Sequence, residues 1–315
     1  MSSARLEGRI ARRFRLQHLQ MVAEIYDCRG ILKASQRLNL TQPAVTKALQ
    51  DIEQTLDLTL FERTSRGLHP TVYGEVFARH AKLVLAQLRH AAEELENLHF
   101  GYGGHVSVGT LLAASVGLLP KAIVMLKKHR PEVAITVIDG TYDLLLPSLR
   151  VGDLDIVLGR LPERPQSDGL VYEELYLEPS CLVVRPDHPL THKAPSSLQD
   201  LLDEAWLLPL PETSLRRQVE RAFTDARLPL PGNIIESMSI LTNRALLRET
   251  DLIAVMPYHV AKDDVDHGLL AILPIRLNTA TSPVGVITRT PGDLPPAAKI
   301  FLEHLRAVGK EMSIE

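Results

Sequence analysis

The side chains best suited to chemistry in this chain lie along one side of residues 42–53. At helical spacing this side groups Gln42, Pro43, Thr46, Lys47 and Gln50. A glutamine amide pairs with adenine, a threonine hydroxyl donates or accepts, and a lysine contacts guanine or phosphate. The pattern therefore predicts contacts with base edges in the major groove of DNA.

Two short helices joined by a tight turn must position these side chains. Asn39 tolerates the left-handed conformation that ends a helix, Thr41 is a good N-cap, and Pro43 costs no hydrogen bond in a first turn. The apolar sides of the two helices carry Ile31, Ala34, Ser35 and Leu38, then Val45, Ala48, Leu49, Ile52 and Leu56. This layout is typical of a helix-turn-helix. The alternative is an ordinary amphipathic hairpin of helices with a solvated polar face.

Residues 60–71 form the next recognisable unit. Two short extended arms flank Ser-Arg-Gly, a turn-forming centre, and the segment is typical of a small hairpin, or wing. Arg63 and Arg66 would lie near the backbone of a bound duplex, where arginine fixes register without reading sequence. The alternative is a solvated hairpin with two incidental arginines.

Charge and composition agree with a soluble protein of several domains. The 315 residues favour two or three domains, and 45% hydrophobic with 23% charged residues is ordinary for globular proteins. Residues 1–73 hold eleven Lys/Arg against seven Asp/Glu, a net charge of +4, whereas the whole chain carries −3. Near the N-terminus, Arg12, Arg13 and Arg15 suit either a basic arm that touches phosphate or disordered surface charge.

Several classes of protein are disfavoured by what the sequence lacks. No stretch approaches the roughly 20 apolar residues of a membrane span, and the N-terminal segment has no apolar signal core. Cys28 and Cys181 fall in different predicted domains, which argues against a structural disulfide and for a cytoplasmic location. His188 and His192 are separated by Pro189, so that no helix presents both to one metal ion. We expect no metal and no cofactor.

Residues 71–99 predict one long helix. They contain no proline, and apolar residues recur at alternating steps of four and three at Phe77, Ala81, Val84, Leu88, Ala91, Leu95 and Leu98. Such a seam pairs long helices, which favours dimerisation; the alternative is a helix packed on its own domain. Gly101, Gly103 and Gly104 then predict a hinge.

From residue 105 onward, strands and helices alternate. This order predicts a mostly parallel sheet with helices on its faces, and ligands bind such sheets at the carboxyl ends of the strands. We place strands at 105–109, 133–138 and 154–158, so that Thr110, Thr141 and Arg160 each follow a strand. An arginine there is suited to clamp a carboxylate with two hydrogen bonds. The alternative roles are a helix cap or a structural ion pair.

The order of these elements resembles the LysR-type family of bacterial transcriptional regulators. The most specific stretch is LTQPAVTKALQDIE, residues 40–53. The matching residues are Leu19, Ala34, Leu38, Gln42, Pro43, Ala44, Val45, Leu49, Leu60, Phe61, Arg63, Gly67 and Thr71. Thr41, Thr46 and Lys47 depart from the residues common in the family, which bears on the preferred base sequence rather than on the docking mode.

The resemblance implies an α/β protein with an N-terminal winged helix-turn-helix, a long linker helix and a two-lobed α/β effector domain similar to periplasmic binding proteins. The implied boundaries are 1–73, 74–100, a hinge at 101–104, and 105–315, with lobe I formed by 105–178 and 278–315 and lobe II by 179–277. The implied partners are double-stranded promoter DNA, a small organic acid as effector, and further copies of the chain, paired through the linker helix and assembled as a tetramer.

The resemblance also implies two sets of contact residues. For DNA they are Lys33, Thr41, Gln42, Pro43, Thr46, Lys47, Gln50, Arg63 and Arg66. For the effector they are Thr110, Ser115, Thr141, Arg160, Ser237 and Tyr258. No catalytic residue is implied.

An α/β hydrolase is the alternative from a different class. Residues 113–117 approach the G-x-S-x-G nucleophile elbow with Ser115 as nucleophile. The first glycine is absent, and the segment follows the first strand of its domain, earlier than that fold places it. Completing a triad would require an acid and a histidine downstream, such as Asp251 or Asp266 with His259 or His267.

Overall fold

The computed structural model describes residues 3–64, 67–100, 103–162, 169–275, 277, 282–290 and 294–313. The chain divides into two compact units, the first formed by Met1–Gly104 with Leu146–Leu154 and the second by His105–Leu145 with Asp155–Glu315.

The first unit is a helical head with a two-stranded wing. Its elements are α1 (Ser3–Arg13), α2 (Leu16–Cys28), α3 (Ile31–Arg37), α4 (Gln42–Leu56), β1 (Phe61–Thr64), β2 (Gly67–Pro70) and α5 (Val72–Phe100). Their apolar faces share one core, in which Val22, Ile25 and Val45 are fully buried. The predicted helix-turn-helix is confirmed, because α3 and α4 are joined by a turn in which Asn39 is left-handed with φ 53°.

Helix α4 begins and ends where local chemistry requires. The Thr41 side chain accepts a hydrogen bond from the backbone N of Ala44 at 3.4 Å, satisfying one of the first amides of the helix. Asp57, left-handed with φ 59°, ends the helix. Between these ends, Val45, Leu49 and Ile52 are buried at helical spacing, so the opposite side of α4 faces outward.

Helix α1 differs from the disordered surface charge that was one of two expectations for this segment, while contact of its arginines with phosphate stays a prediction. Residues 3–13 form a helix, and its apolar residues Leu6 and Ile10 pack against the head core together with Phe14. Their spacing of four places them on one stripe of the helix. The apolar stripe, which sequence analysis overlooked beside the arginines, is the physical reason for the difference.

Helix α5 belongs to the head at its beginning and is exposed farther along. Ala78 and Ala81 are buried, and this part of α5 packs against α2. In contrast Val84, Leu88 and Leu95 are 46%, 47% and 67% exposed. The side chain of Leu98, the last residue of the predicted seam, lies outside the described residues.

The second unit contains two five-stranded sheets in the part of the chain that the structure describes. The first lobe consists of β3 (His105–Thr110), α6 (Leu112–Ser115), α7 (Leu118–His129), β4 (Ala134–Asp139), α8 (Tyr142–Val151), which is divided between the two units, β5 (Ile156–Arg160), β6 (Leu170–Glu178), β12 (Ser282–Arg289) and α13 (Pro296–Met312). Its core lies between the sheet and α7 and α13, where Val108, Leu126 and Phe301 have no exposed surface.

The second lobe lies between β6 and β12 in the chain. Its elements are β7 (Ser180–Val184), α9 (Pro189–His192), a short 3-10 helix (Leu198–Leu201), β8 (Ala205–Leu208), α10 (Ser214–Asp225), β9 (Ile234–Glu236), α11 (Ile240–Glu249), β10 (Leu252–Pro257), α12 (Tyr258–Asp266) and β11 (Ala271–Ile272). Trp206 and Phe223 pack edge to face in its core, with ring centroids 5.5 Å apart.

The sheets are mixed rather than mostly parallel, so that expectation is wrong. The strand orders are β4-β3-β5-β12-β6 and β11-β7-β10-β8-β9. In each sheet two strand pairs are parallel and two are antiparallel. The βαβ pattern of the sequence describes the parallel pairs, whereas the antiparallel pairs involve strands next to the crossings between lobes, such as β6, β7 and β12.

No helix among the described residues is long and apolar enough to cross a membrane.

Gly74 is required where α5 meets the wing. A Cβ at this position would lie 2.0 Å from the backbone oxygen of Leu60, which is far inside van der Waals contact. We expect Gly74→Ala to lower the free energy of unfolding of the head by about 1–3 kcal/mol, measured by urea unfolding followed by circular dichroism.

Gly8 provides the matched control, because it is also a helical glycine of the head but a Cβ there meets nothing within 4 Å. Gly8→Ala should leave stability unchanged or raise it by about 0.5–1 kcal/mol, since alanine favours helix interiors. Equal effects of the two substitutions would show that the Leu60 contact is unimportant.

Candidate DNA interface and effector site

The outward side of α4 presents a continuous polar surface. Gln42, Pro43, Lys47 and Gln50 are exposed. Thr46 is half-buried, and its hydroxyl donates to the backbone oxygen of Gln42 at 3.0 Å. The Thr46 hydroxyl can still accept a hydrogen bond. Among the described residues, the side-chain amides of Gln42 and Gln50 and the ammonium of Lys47 have no hydrogen-bond partner. The surface can therefore meet base edges.

The other predicted DNA contacts surround this surface with different roles. Thr41 serves as the N-cap of α4. Lys33 is exposed on α3, and Arg63 is exposed on β1 opposite Leu68 of β2. Arg66 lies outside the described residues. Contact with phosphate rather than with bases is the role expected for Lys33 and Arg63.

A carboxylate on α4 fixes the wing relative to the recognition helix. Glu53 accepts hydrogen bonds through Oε1 from the backbone N of Leu60 at 2.6 Å and of Phe61 at 3.1 Å. The Thr71 hydroxyl donates to the Thr59 oxygen at 2.7 Å on the other side of the wing. The hydrogen bonds of Glu53 therefore connect α4 directly to the start of β1.

In the second unit, the predicted effector residues of the first lobe gather at one edge of its sheet. Thr110 ends β3 and is buried, and its backbone oxygen accepts from Gly140 N at 3.2 Å. The Thr141 backbone oxygen accepts from Leu145 N at 2.9 Å where α8 begins. The Tyr142 hydroxyl donates to the Arg160 oxygen at 2.5 Å. The structure thus brings Thr110, Thr141 and Arg160 to the same edge.

Arg160 ends β5 rather than following it, which corrects the sequence-based placement. The strand extends to Arg160 because β12 pairs with it there, Val284 lying opposite Arg160. The side chain is 4% exposed. It reaches the second lobe, where Nη1 donates to Oε1 of Gln218 at 3.3 Å and Nη2 to Oγ of Ser180 at 3.4 Å.

The two side chains that accept hydrogen bonds from Arg160, those of Gln218 and Ser180, are neutral, and both hydrogen bonds are long. Burial lowers the pKa of Arg160, and the negative charge of Glu178 opposes this shift. A guanidinium at nine-tenths burial or more requires a counter-charge, and Glu178 supplies it through space. The hydrogen bonds of 3.3 and 3.4 Å are longer than the usual 2.9 Å or so, which leaves capacity for a stronger acceptor.

Glu178 stands at the first crossing between the lobes and is fully buried. Its Oε1 accepts from the backbone N of His259 at 3.0 Å, and its Oε2 lies 2.8 Å from Nδ1 of the same residue. The Tyr176 ring meets the His259 ring edge to face, with centroids 5.4 Å apart. Glu178 therefore joins the end of β6 to the start of α12.

The remaining predicted effector residues lie in separate places. Ser237 follows β9, and its hydroxyl accepts from Ser239 N at 3.2 Å. Tyr258 is 38% exposed at the start of α12, and its backbone N donates to the Pro179 oxygen at 2.9 Å. Ser115 ends α6, and its hydroxyl donates to the Leu112 oxygen at 2.9 Å.

The predicted nucleophile elbow is not formed. Ser115 is the last residue of a short helix rather than the tip of a strand-to-helix turn. Among its nominated partners, His259 is engaged by Glu178, and Nδ1 of His267 bonds the Asp263 oxygen at 2.7 Å. Within the described residues, no group of three or more His, Cys, Asp or Glu is arranged to hold a metal ion.

The two cysteines occupy different environments. Cys28 is half-buried in the head, and Cys181 is buried in the second lobe; both are free thiols. Burial, and then the charge of Glu178, raise the pKa of Cys181 to about 12. Thiolate is the reactive form of cysteine, so Cys181 is chemically quiet at neutral pH.

Gln218, Ser180 and Tyr142, which contact Arg160, and His259, which contacts Glu178, were not among the predicted effector residues. The contacts join segments that are distant in the sequence, so no local pattern indicates them. His259 had been considered, but as a hydrolase partner.

Two family models match the chain. Residues 16–75 match the model described as bacterial regulatory helix-turn-helix protein, lysR family. Residues 101–310 match the model described as LysR substrate binding domain. The first match begins at α2 and therefore excludes α1.

Similar proteins span almost the whole chain. The HTH-type transcriptional regulator GbpR of Azospirillum brasilense is 35% identical over 296 residues, which are 94% of this chain and 86% of that protein. The HTH-type transcriptional regulator PcaQ of Agrobacterium fabrum is 32% identical over 303 residues, 96% of this chain and 97% of that protein.

Solved structures share the fold at lower identity. CbnR, a LysR family transcriptional regulator, superposes with a TM-score of 0.64 at 20% identity, covering 94% of this chain and 100% of that chain. A full-length OxyR variant from Pseudomonas aeruginosa gives a TM-score of 0.67 at 23% identity, covering 93% and 95%.

The charge of Glu178 should stabilise the protein mainly through Arg160. We expect Glu178→Gln to lower the free energy of unfolding by about 3 kcal/mol or more, because Arg160 is left buried without a counter-charge. Thermal and urea unfolding of the single variants and of the double variant Glu178→Gln/Arg160→Met would measure the coupling.

The double variant should be more stable than the sum of the two single losses predicts, by at least about 1 kcal/mol. Strict additivity would show that Glu178 acts through His259 alone. Arg217→Met, at an exposed position of α10, controls for loss of an arginine.

Proposed function

The chain belongs to the LysR family of bacterial transcriptional regulators, and from this premise we propose how it reads DNA and which class of molecule controls it. The observation that carries the DNA proposal is the outward polar surface of α4. Four of its side chains are exposed, while the opposite side of the helix is buried in the head core.

We propose that α4 enters the major groove and that Gln42, Thr46, Lys47 and Gln50 contact base edges. Gln42 and Pro43 lie in the first turn, where a recognition helix commonly meets the bases. Lys33 and Arg63 contact phosphate on either side, and Arg66 is expected to do the same. Thr41 acts through its cap, which holds the first turn in place.

We propose that two chains pair through α5. The exposed apolar residues Val84, Leu88 and Leu95 follow the spacing by which long helices associate. Pairing places two heads on a two-fold axis, and such dimers read half-sites about one helical turn or more apart. A tetramer built from two dimers extends the contact with DNA.

We propose a small organic acid, aromatic or sugar-derived, as the effector, bound between the two lobes. Arg160 supports this proposal because its guanidinium reaches from β5 to Ser180 and Gln218 with long hydrogen bonds to neutral oxygens. A carboxylate would give it a charged acceptor and shorter bonds. Thr110, Thr141, Ser237 and Tyr258 are proposed to line the site, and Ser115 to shape its wall through α6.

Effector binding is proposed to change the closure of the lobes and, through the assembly, the bend of the bound DNA. Such control requires the effector to bind one state more tightly than the other. The protein is proposed to act in the cytoplasm, where promoter DNA and small metabolic acids are both present.

Base contact by α4 can be separated from phosphate contact. Gln42→Ala and Lys47→Ala should each weaken binding to a specific site by about 1–3 kcal/mol and leave binding to random duplex nearly unchanged. Fluorescence anisotropy with the promoter upstream of the chain's own gene and with a scrambled duplex of the same composition measures both affinities.

Arg63→Gln is the matched comparison, since phosphate contacts weaken all sequences alike and flatten the salt dependence. If Gln42→Ala and Lys47→Ala also weaken both duplexes equally, these two side chains contact phosphate. If the wild-type chain never distinguishes the two duplexes, with or without small acids, the regulator interpretation of the site is wrong.

The effector class can be tested by thermal unfolding in the presence of candidate acids and their neutral amides. An acid present at about 100 times its Kd should stabilise the folded chain by about 2.7 kcal/mol, whereas its amide should not. Arg160→Met should abolish the response, and Arg217→Met should keep it. Stabilisation by amides but not by acids would exclude an anionic effector.

A further inference from the structure

We propose that α1 is a second DNA-binding element, a basic helix that contacts phosphates beside the groove occupied by α4. This inference rests on the proposed binding of α4 to DNA and assigns a function to a segment outside the matched helix-turn-helix region, which begins at residue 16.

The charge of the head is concentrated in this segment. Residues 1–15 contain five arginines against one glutamate, a net charge of +4. Residues 16–75, the matched helix-turn-helix region, contain six Lys/Arg against seven Asp/Glu, a net charge of −1. Neutralisation of phosphates supplies most of the affinity of proteins for duplex DNA, and the helix-turn-helix region has no net positive charge for this purpose.

The basic segment is held in a fixed position. Leu6, Ile10 and Phe14 pack against the head core, and the Phe14 ring lies 5.4 Å from that of Phe77 and meets His18 edge to face at 5.6 Å. A charged segment that only had to solubilise the protein would not require three apolar anchors. The arginines are therefore presented from a structured helix.

The arginines share one side of that helix. Arg9, Arg12 and Arg13 are separated by three and four residues, the spacing at which helical side chains are neighbours. Arg12 and Arg13 are exposed and Arg9 is half-buried. No carboxylate of the described residues forms an ion pair with any of the three, so their guanidinium groups are available to another partner.

The position of α1 beside α4 determines what that partner is. The two helices pack against each other, and packed helices lie about 8–10 Å apart. The major groove is about 12 Å wide, so a helix that packs alongside an inserted helix, rather than behind it, lies near the flanking sugar-phosphate backbone. Guanidinium groups match phosphate with paired hydrogen bonds, which makes duplex phosphate the partner that the geometry favours.

The test is the salt dependence of binding to a random-sequence duplex by the full chain. Each phosphate contact contributes about 0.9 to the slope of log K against log salt. The triple variant Arg9→Gln/Arg12→Gln/Arg13→Gln should lower the slope by about 2–3 and the affinity about 10- to 100-fold at roughly 0.1 M salt. The variant in which the same three arginines are replaced by lysine keeps the positive charge, and it should therefore retain most of the slope of log K against log salt.

Lys121→Gln/Lys128→Gln/Arg130→Gln is the matched control, because it removes the same charge from exposed positions of the second unit. An unchanged slope in the α1 variant, while Arg63→Gln lowers it, would overturn the proposal for α1 and leave the DNA-binding role of α4 intact. Equal slope losses in the α1 and control variants would also overturn it, since net charge alone would then explain the effect.

Folding of the α1 variant is checked by its melting temperature, which should change little because Arg12 and Arg13 are exposed and Arg9 is only half-buried. If the triple variant does not fold, the single variants Arg12→Gln and Arg13→Gln should each lower the slope by about 1. Unchanged slopes in both would contradict the proposal. A wild-type chain that binds no duplex at any salt would instead contradict the proposed function itself.

Discussion

The head depends on one constraint, namely that a single short helix must be apolar on one side and polar on the other. Burial of Val45, Leu49 and Ile52 leaves α4 only one orientation, since rotating it would place amides and an ammonium in the core at a cost of several kcal/mol. The Glu53 carboxylate, bonded to the backbone of Leu60 and Phe61, then ties the wing to that orientation. Recognition geometry thus follows from packing before any DNA is bound.

Local signals in the sequence were sufficient for the parts of the fold that depend on neighbours in the chain. Thr41 and Pro43 located the start of α4, which begins at Gln42. Features that depend on residues far away in the sequence could not be predicted from local signals. Strand β5 extends to Arg160 because β12 pairs with it, and β6 was missed because its partner β12 lies about a hundred residues later in the chain. The surroundings of Arg160 present the same difficulty, since Ser180 and Gln218 contact it only through the fold.

In the second unit, the buried charged residues Arg160 and Glu178 restrict how the two lobes can be arranged. Arg160, Glu178 and His259 come from β5, β6 and α12, and together they connect residues of both lobes at the crossing of the chain. Arrangements that leave a buried charge without its compensating partner are strongly disfavoured. A polar network at a crossing therefore favours a small number of lobe arrangements, which is what an effector must choose between if it is to act as a switch.

The distribution of charge in the head suggests that affinity and specificity are carried by different helices. The helix-turn-helix region is close to neutral, so its exposed amides can discriminate among bases without a large sequence-independent attraction. The arginines of α1 add that attraction from outside the groove, where they contact no base. A protein arranged in this way can change its salt sensitivity through α1 and its preferred sequence through α4 with little interference, because the arginines and the exposed amides lie on different helices. Base recognition by α4 and phosphate binding by α1 are thereby assigned to different segments of the chain and to different helices of the head.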